Sequence, residues 1–137
     1  MTPTQIATAF VDRINAHDLD GLCTLMADDH VFIDGLGHAI VGREAMRKAW
    51  QTYFTMVPDY FIRIEDIFEG QGQVAIIGRA GGTYTHDGDL HPANRWEVPA
   101  AWRAAVGETA ITLWQVFADN EPVREIMARH ARNESAT

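Results

Sequence analysis

The sequence predicts an α+β fold, in which three helices of the N-terminal half pack against one face of a curved, largely antiparallel sheet. Two observations predict it. Apolar residues recur at helical spacing through most of the chain before Pro58, and after it they alternate with polar residues as in half-buried strands. Gly-containing turns at 70–72, 87–88 and 107–108 separate the alternating segments, which suits antiparallel neighbours. Helices segregated to one face of such a sheet define the α+β class.

The first two helices are predicted from their caps. Thr2 is placed as the N-cap of the first helix, Pro3 suits its first position, and Gln5 completes a capping-box pattern. The apolar stripe of this helix consists of Ile6, Phe10 and Ile14. Asp18 can cap a second helix, which is expected to end at Asp28.

A short strand ends on Asp34, the leading candidate for chemistry. Apolar residues 31–33 precede this carboxylate, and Gly35 and Gly37 follow it, so its side chain is expected at the rim of a sheet. A third helix is predicted over residues 42–57, with Pro58 as its stop. This order of elements is expected to hold Asp34 over a cavity between the helices and the sheet, where an apolar environment would make it a useful proton acceptor.

Four strands and a tail follow the third helix. Alternation predicts strands over residues 60–68, 74–84, 98–106 and 111–118, with extended structure resuming over residues 93–97. A change of phase predicts a bulge near Asp66 in the first of them. Residues 119–132 are interpreted as a short polar tail, for which a helix is one alternative.

Composition and charge exclude several classes of function. The chain has 137 residues, 47% of them hydrophobic, which suits one globular domain over residues 1–137. A net charge of −8 with scattered basic residues argues against a nucleic-acid surface. No apolar stretch reaches membrane-spanning length, no signal-peptide pattern occurs, and Cys23 is the one cysteine. A soluble, cytoplasmic protein without a disulfide and without membrane contact is therefore expected.

Small residues on the predicted strand 74–84 indicate a pocket. The set that shares one face consists of Gly78, Ala80, Gly82 and Tyr84, with Ala100, Trp102 and Trp114 on the facing strands. Small side chains opposite a helical layer leave space, which favours a cavity. The alternative is that Trp102 and Trp114 fill that space as ordinary core. Trp50 and Tyr53 of the third helix are expected to close the mouth of the cavity.

Histidines supply the other candidate acids and bases. His86 could reach the mouth of the pocket as a catalytic acid or base, and His38 could line its entrance. Segment 86–91 contains two histidines and two aspartates, but its spacing matches no strong zinc pattern, and a solvated turn is preferred. No metal and no cofactor are therefore predicted. Three further histidines, His17, His30 and His130, are interpreted as surface or cap residues.

Four stretches of the sequence resemble a known superfamily. They are residues 15–21 (NAHDLDG), 27–34 (ADDHVFID) and 42–46 (GREAM), and the closing strand near 111–119. Through these stretches nearly the whole chain resembles the nuclear-transport-factor-2-like superfamily, in its SnoaL-like and ketosteroid-isomerase-like branch. The resemblance implies a cystatin-like cone, formed by a curved sheet and three helices. It also implies a homodimer that pairs through the outer face of the sheet.

The resemblance implies roles for particular positions. Asp34 falls where the isomerases place their general base. Their oxyanion-hole tyrosine falls on Phe10 and their protonated aspartate on Ala100, while two supporting tyrosines fall on Met26 and Trp50. Losing one such donor costs about 3–4 kcal/mol, so standard ketosteroid isomerisation is not expected. Ala100 also departs from the cyclase pattern.

Two classes of function are compatible with these observations. The first is a SnoaL-like protein whose deep apolar pocket binds a small apolar or aromatic metabolite, with isomerase-, cyclase- or lyase-type proton transfer at Asp34. Tyr53 and Tyr84 are then the nearby hydroxyls that could replace the missing donors. The second is a non-catalytic ligand-binding or dimerisation module. The expected partners are a small-molecule ligand and a second copy of the chain.

Overall fold

The computed structural model describes residues 1–136 and shows a curled, open sheet of six strands with helices packed against it. The helices within this range are α1 (Pro3–Asn15), α2 (Leu19–Thr24), α3 (Arg43–Met56) and α4 (Glu121–Ala136). The strands are β1 (Met26–Ile33), β2 (Ala39–Val41), β3 (Phe61–Gly70), β4 (Gln73–Thr83), β5 (Arg95–Val106) and β6 (Ile111–Ala118). Across residues 1–136, no helix combines the length and apolarity needed to cross a membrane.

The strand order is β2-β1-β6-β5-β4-β3. Strands β1 and β6 run parallel, whereas the other neighbouring pairs in the described chain are antiparallel. The predicted α+β class is therefore confirmed. The edge strand β2 was not predicted, and the tail after β6 forms a helix, which was one of the alternatives for residues 119–132.

The core lies between α1, α3 and the inner face of the sheet. Trp102 and Trp114 are fully buried there, and Phe10 of α1 packs on Trp114 with ring centroids 4.8 Å apart. These aromatic rings fill the interior beneath α1. Any open space must therefore lie elsewhere on the inner face.

The beginning of α1 forms as the sequence predicts, but α2 is shorter than expected. Thr2 and Gln5 make the reciprocal capping box, with Gln5 N–H donating to Thr2 Oγ1 at 3.1 Å and Thr2 N–H to Gln5 Oε1 at 2.8 Å. The prediction that α2 continues to Asp28 is wrong, because β1 already begins at Met26. Met26 pairs with Ile111 of β6, so the residues from Met26 onward form a strand and the helix ends before them.

A bulge in β3 explains one of the small residues of β4. The register shifts between Ile64 and Asp66, which confirms the bulge predicted near Asp66. Ile64 pairs with Gly78, where an added Cβ would overlap the carbonyl oxygen of Arg63. Gly78 is therefore required by the close approach of two backbones and not by an open cavity.

Candidate functional site

A cavity of about 370 Å³ lies between α3, the inner face of the sheet and the first turns of α4. Its wall is dominated by aromatic rings and methionines. The aromatic and methionine members are Phe32, Met46, Trp50, Tyr53, Met56, Tyr60, Trp96, Trp114 and Met127. The few polar members are Asp34, Asn120 and Arg124 with the two tyrosine hydroxyls. Such a wall suits a largely apolar molecule held in place by a few polar contacts.

Asp34 stands at the edge of this cavity, within the tight turn that joins β1 to β2. Its Oδ1 accepts hydrogen bonds from the backbone amides of Leu36 and His38, both at 2.9 Å. Its Oδ2 lies 3.4 Å from Nδ1 of His38, and the side chain is 38% exposed. Oδ1 is thus committed to the turn, and Oδ2 is the oxygen that remains for a ligand.

Four of the predicted site residues come together at the cavity. Asp34, Trp50, Tyr53 and Trp114 all line it, and so does Ala80, one of the small residues on β4. Trp50 packs against Tyr53 edge to face, with centroids 6.2 Å apart. The carboxylate and the aromatic residues singled out in the sequence therefore line one cavity in the structure.

The other predicted site residues lie outside this wall. Phe10, Ala100 and Trp102 are buried in the core, where they contact protein side chains. Gly82 is buried against Val57, the residue that follows α3. An added Cβ at Gly82 would overlap Cγ1 of Val57, so this glycine leaves no open space. His38 is exposed beside Asp34.

Tyr84 and His86 contribute to the attachment of α4 rather than to the cavity wall. Their rings lie 5.3 and 4.8 Å from the ring of His130. Nη2 of Arg129 donates to Oδ1 of Asn94 at 2.7 Å, so Nδ2 of Asn94 faces Nε2 of His130 at 2.8 Å. Since the amide nitrogen can only donate, Nε2 of His130 accepts this bond as an unprotonated nitrogen.

Helix α4 supplies wall residues that sequence reasoning missed. Val123, Arg124 and Met127 face the cavity, and Ile126 is buried in the core. The spacing of Val123, Ile126 and Met127 is helical, and this signal was available in the segment interpreted as a polar tail. Tyr60 also lines the wall, although the sequence indicates only that it begins a strand.

Burial determines the protonation of the two tyrosines in the wall. It raises the pKa of Tyr53 and of Tyr60 well above the ordinary value, and the neighbouring Tyr53 raises the pKa of Tyr60 further. Both hydroxyls therefore stay protonated at neutral pH and can donate hydrogen bonds.

His30 is buried, which corrects its interpretation as a surface or cap residue. Its Nδ1 lies 2.8 Å from the carbonyl oxygen of Ile111, so Nδ1 carries the proton. Its buried Nε2 has no hydrogen-bond partner in the described part of the chain. Burial lowers the pKa of His30, although the bond to Ile111 opposes the shift. The ring is therefore neutral at neutral pH.

A match to a known protein family follows from the sequence itself. Residues 7–103 match the model of the SnoaL-like domain, which is more than half of the chain. The chain belongs to the SnoaL-like domain family. No curated protein matches the sequence.

Solved structures place this SnoaL-like chain in the same fold. A protein with a ketosteroid isomerase-like fold from Catenulispora acidiphila, in complex with trimethylamine, is 23% identical, with a TM-score of 0.77 over 90% of this chain and 91% of that chain. A candidate SnoaL-like polyketide cyclase from Shewanella denitrificans is 17% identical, with a TM-score of 0.79 over 93% and 97%. IdmH, a candidate polyketide cyclase from Streptomyces antibioticus, is 22% identical, with a TM-score of 0.76 over 93% and 99%. At these identities the likeness shows the fold alone.

The SnoaL-like chain also carries an exposed cluster in the loop after β4. Ligand atoms of Asp87, Asp89 and His91 lie within 4.8 Å of one another. Oδ1 of Asp87 accepts bonds from the backbone amide of Asp89 and from the hydroxyl of Thr85, which lower the pKa of Asp87 to about 2. These contacts give the carboxylate a structural role in the turn.

Proposed function

We propose that this protein binds a small apolar or aromatic metabolite in the cavity, and that Asp34 accepts a proton from the bound molecule. The observation that carries the proposal is the aromatic wall around a cavity of about 370 Å³ with one carboxylate at its edge. Aromatic rings and methionines bind flat, apolar molecules well because they bury a large apolar area. Fold neighbours described as candidate polyketide cyclases, and one holding trimethylamine, support a small-molecule role.

The chemistry that suits Asp34 is removal of a proton from a carbon next to a carbonyl group. The carboxylate takes the proton, and the electron pair of the broken C–H bond moves toward the carbonyl oxygen as an enolate. Return of the proton to another carbon gives an isomerisation, and attack of the enolate carbon on a second carbonyl gives a cyclisation. Phe10 and Ala100 supply no donor for the enolate, so the ketosteroid isomerase arrangement is not the one proposed.

The second candidate is a ligand-binding or dimerisation module without turnover. It is favoured by the two backbone amides on Oδ1 of Asp34, which give the carboxylate a structural role. The outer face of the sheet favours a homodimer: Ile77, Ala101 and Phe117 pair across three strands, and both large side chains are exposed.

The substitution Asp34→Asn separates the two candidates. An asparagine Oδ1 can still accept both backbone bonds, so the turn survives, while the amide nitrogen cannot accept a proton. The probe is acetophenone in D₂O, with methyl-proton exchange followed by NMR and binding followed by tryptophan fluorescence. Asp29→Asn, an exposed carboxylate of the same strand, is the matched control for lost charge.

Each result points to one candidate. The proposal expects the native protein and Asp29→Asn to accelerate exchange, and Asp34→Asn to bind acetophenone but exchange it at the uncatalysed rate. Binding without acceleration in the native protein would favour the module without turnover. Absence of binding to the native protein would overturn the small-molecule proposal.

A further inference from the structure

We propose that the hydroxyls of Tyr53 and Tyr60 form a donor pair that binds a carbonyl oxygen of the ligand, so that the ligand class is an aromatic ketone or quinone. This inference rests on the proposed small-molecule function and deepens it. It also differs from the arrangement implied by the isomerases, because neither tyrosine lies at the positions of their oxyanion-hole groups.

The two tyrosines meet although they belong to different segments. Tyr53 lies near the end of α3, and Tyr60 lies directly before β3. Their rings pack edge to face, with centroids 4.9 Å apart and an interplanar angle of 87°. Trp50 lies 6.2 Å from the Tyr53 ring, and Trp96 lies 6.2 Å from the Tyr60 ring. Packing on both sides therefore fixes the direction of each phenol before any ligand arrives.

Neither hydroxyl is used by the protein. Tyr60 is only 8% exposed, and both tyrosines line the cavity. Within residues 1–133, neither oxygen takes part in a hydrogen bond, and burial is the leading cause of the raised pKa of each. Both tyrosines line the cavity, so a ligand that supplies an acceptor can bond to their hydroxyls without breaking a bond within the protein.

The balance of polar groups around the cavity favours an acceptor on the ligand. Oδ1 of Asp34 accepts two backbone bonds, which leaves Oδ2 as the free acceptor of this carboxylate. Arg124 lies 3.7 Å from Glu121, so its charge is shared with that carboxylate. The two phenols are therefore donors that remain for an acceptor on the ligand. A carbonyl oxygen has two lone pairs and can accept from both phenols at once.

The test compares two ligands of nearly the same shape. Acetophenone carries a carbonyl group, and isopropenylbenzene replaces that oxygen with a CH₂ group. Dissociation constants of both are measured on the native protein, on Tyr53→Phe, on Tyr60→Phe and on the double variant. Tyr84→Phe is the matched control, because the third tyrosine of the chain packs on His130 outside the cavity wall.

The native protein is expected to bind the ketone about tenfold more tightly than the alkene, since each hydrogen bond contributes a few-fold. In the double variant this ratio is expected to fall below one, through a weaker ketone and an unchanged alkene, because a carbonyl oxygen buried without a donor is less favourable than a CH₂ group. Tyr84→Phe should keep the native ratio. The infrared carbonyl stretch of bound acetophenone should shift to lower frequency in the native protein and return in the double variant.

Two outcomes would overturn the inference, and they differ in what they leave standing. If the native protein binds both ligands equally, the donor pair is refuted while the small-molecule cavity remains. If it binds neither ligand, the inference and the proposed function fail together. Loss of folding in a tyrosine variant is recognised by circular dichroism, and the native ratio then decides the question alone.

Discussion

The backbone amide of His38 donates to Oδ1 of Asp34 at 2.9 Å, while Nδ1 of the same histidine lies 3.4 Å from Oδ2. The backbone N–H of Asp34 in turn donates to the carbonyl oxygen of His38 at 2.9 Å. One pair of residues therefore closes the hairpin between β1 and β2 and sets the carboxylate at the edge of the cavity. Substitutions can separate the structural role of Asp34 in this turn from its proposed role as a proton acceptor.

Replacing Asp34 with alanine should destabilise the protein, because the amides of Leu36 and His38 lose their acceptor. We expect a loss of about 1–2 kcal/mol in the free energy of unfolding, measured with urea. Asp34→Asn keeps the acceptor and should stay within about 0.5 kcal/mol of the native value. Equal stability of the alanine variant and the native protein would contradict the structural role of Oδ1.

Asn94→Ala should loosen α4. Asn94 is 4% exposed and bonds both Arg129 and His130, so its removal breaks two side-chain hydrogen bonds that attach α4. The expected cost is about 1–3 kcal/mol, concentrated on residues 121–133. Hydrogen–deuterium exchange should therefore rise in α4 and stay unchanged in β4 and β5. Asn133→Ala, at an exposed position of the same helix, is the control.

Stability should fall as the pH drops below the ordinary pKa of histidine. Burial lowers the pKa of His30 from 6.5, so the unfolded chain binds a proton more readily than the folded protein. The contribution of neutral His30 to the free energy of unfolding is fully present above about pH 6.5. It is lost as the pH falls toward the pKa of His30 in the folded protein. Urea unfolding between about pH 7.5 and about pH 5.5 measures the slope.

His30→Asn should flatten that slope. The asparagine can still donate to the carbonyl of Ile111, as Nδ1 of His30 does, but it does not titrate. The same slope in both proteins would assign the pH dependence to other groups.

Ala80→Leu should fill the cavity and weaken acetophenone binding. Ala80 lines the wall, whereas Gly82 packs on Val57 and Ala100 is enclosed in the core. A leucine can occupy space that is already empty, so we expect the dissociation constant of acetophenone to increase at least about tenfold. The free energy of unfolding should fall by less than about 1.5 kcal/mol. Ala75→Leu on the exposed face of β4 should change neither quantity. Native affinity in Ala80→Leu would place the ligand elsewhere.

Phe117→Asp should convert the proposed homodimer into a monomer. Phe117 is 52% exposed on the outer face of the sheet and pairs with Ala101 of β5. A charge buried in the centre of an interface is costly, so sedimentation should report the mass of one chain. The native protein should sediment with twice that mass. A native monomer would remove the dimer proposal.

Local sequence determined the parts of this protein that depend on neighbours along the chain. The capping box at Thr2 and Gln5 and the phase change near Asp66 involve residues within a few positions of each other, so pattern alone predicted them correctly. The alternation of β4 to β6 likewise follows from the two-residue period of a strand.

Tertiary structure decided what depends on partners far along the chain. Met26 leaves the predicted helix because Ile111 pairs with it, and His30 is buried because the same strand and α1 cover it. Helix α4 closes the cavity because Asn94 bonds both Arg129 and His130. Such contacts join residues that lie far apart in the sequence. The pattern around one residue does not indicate its partner, because burial and strand register depend on the packed structure.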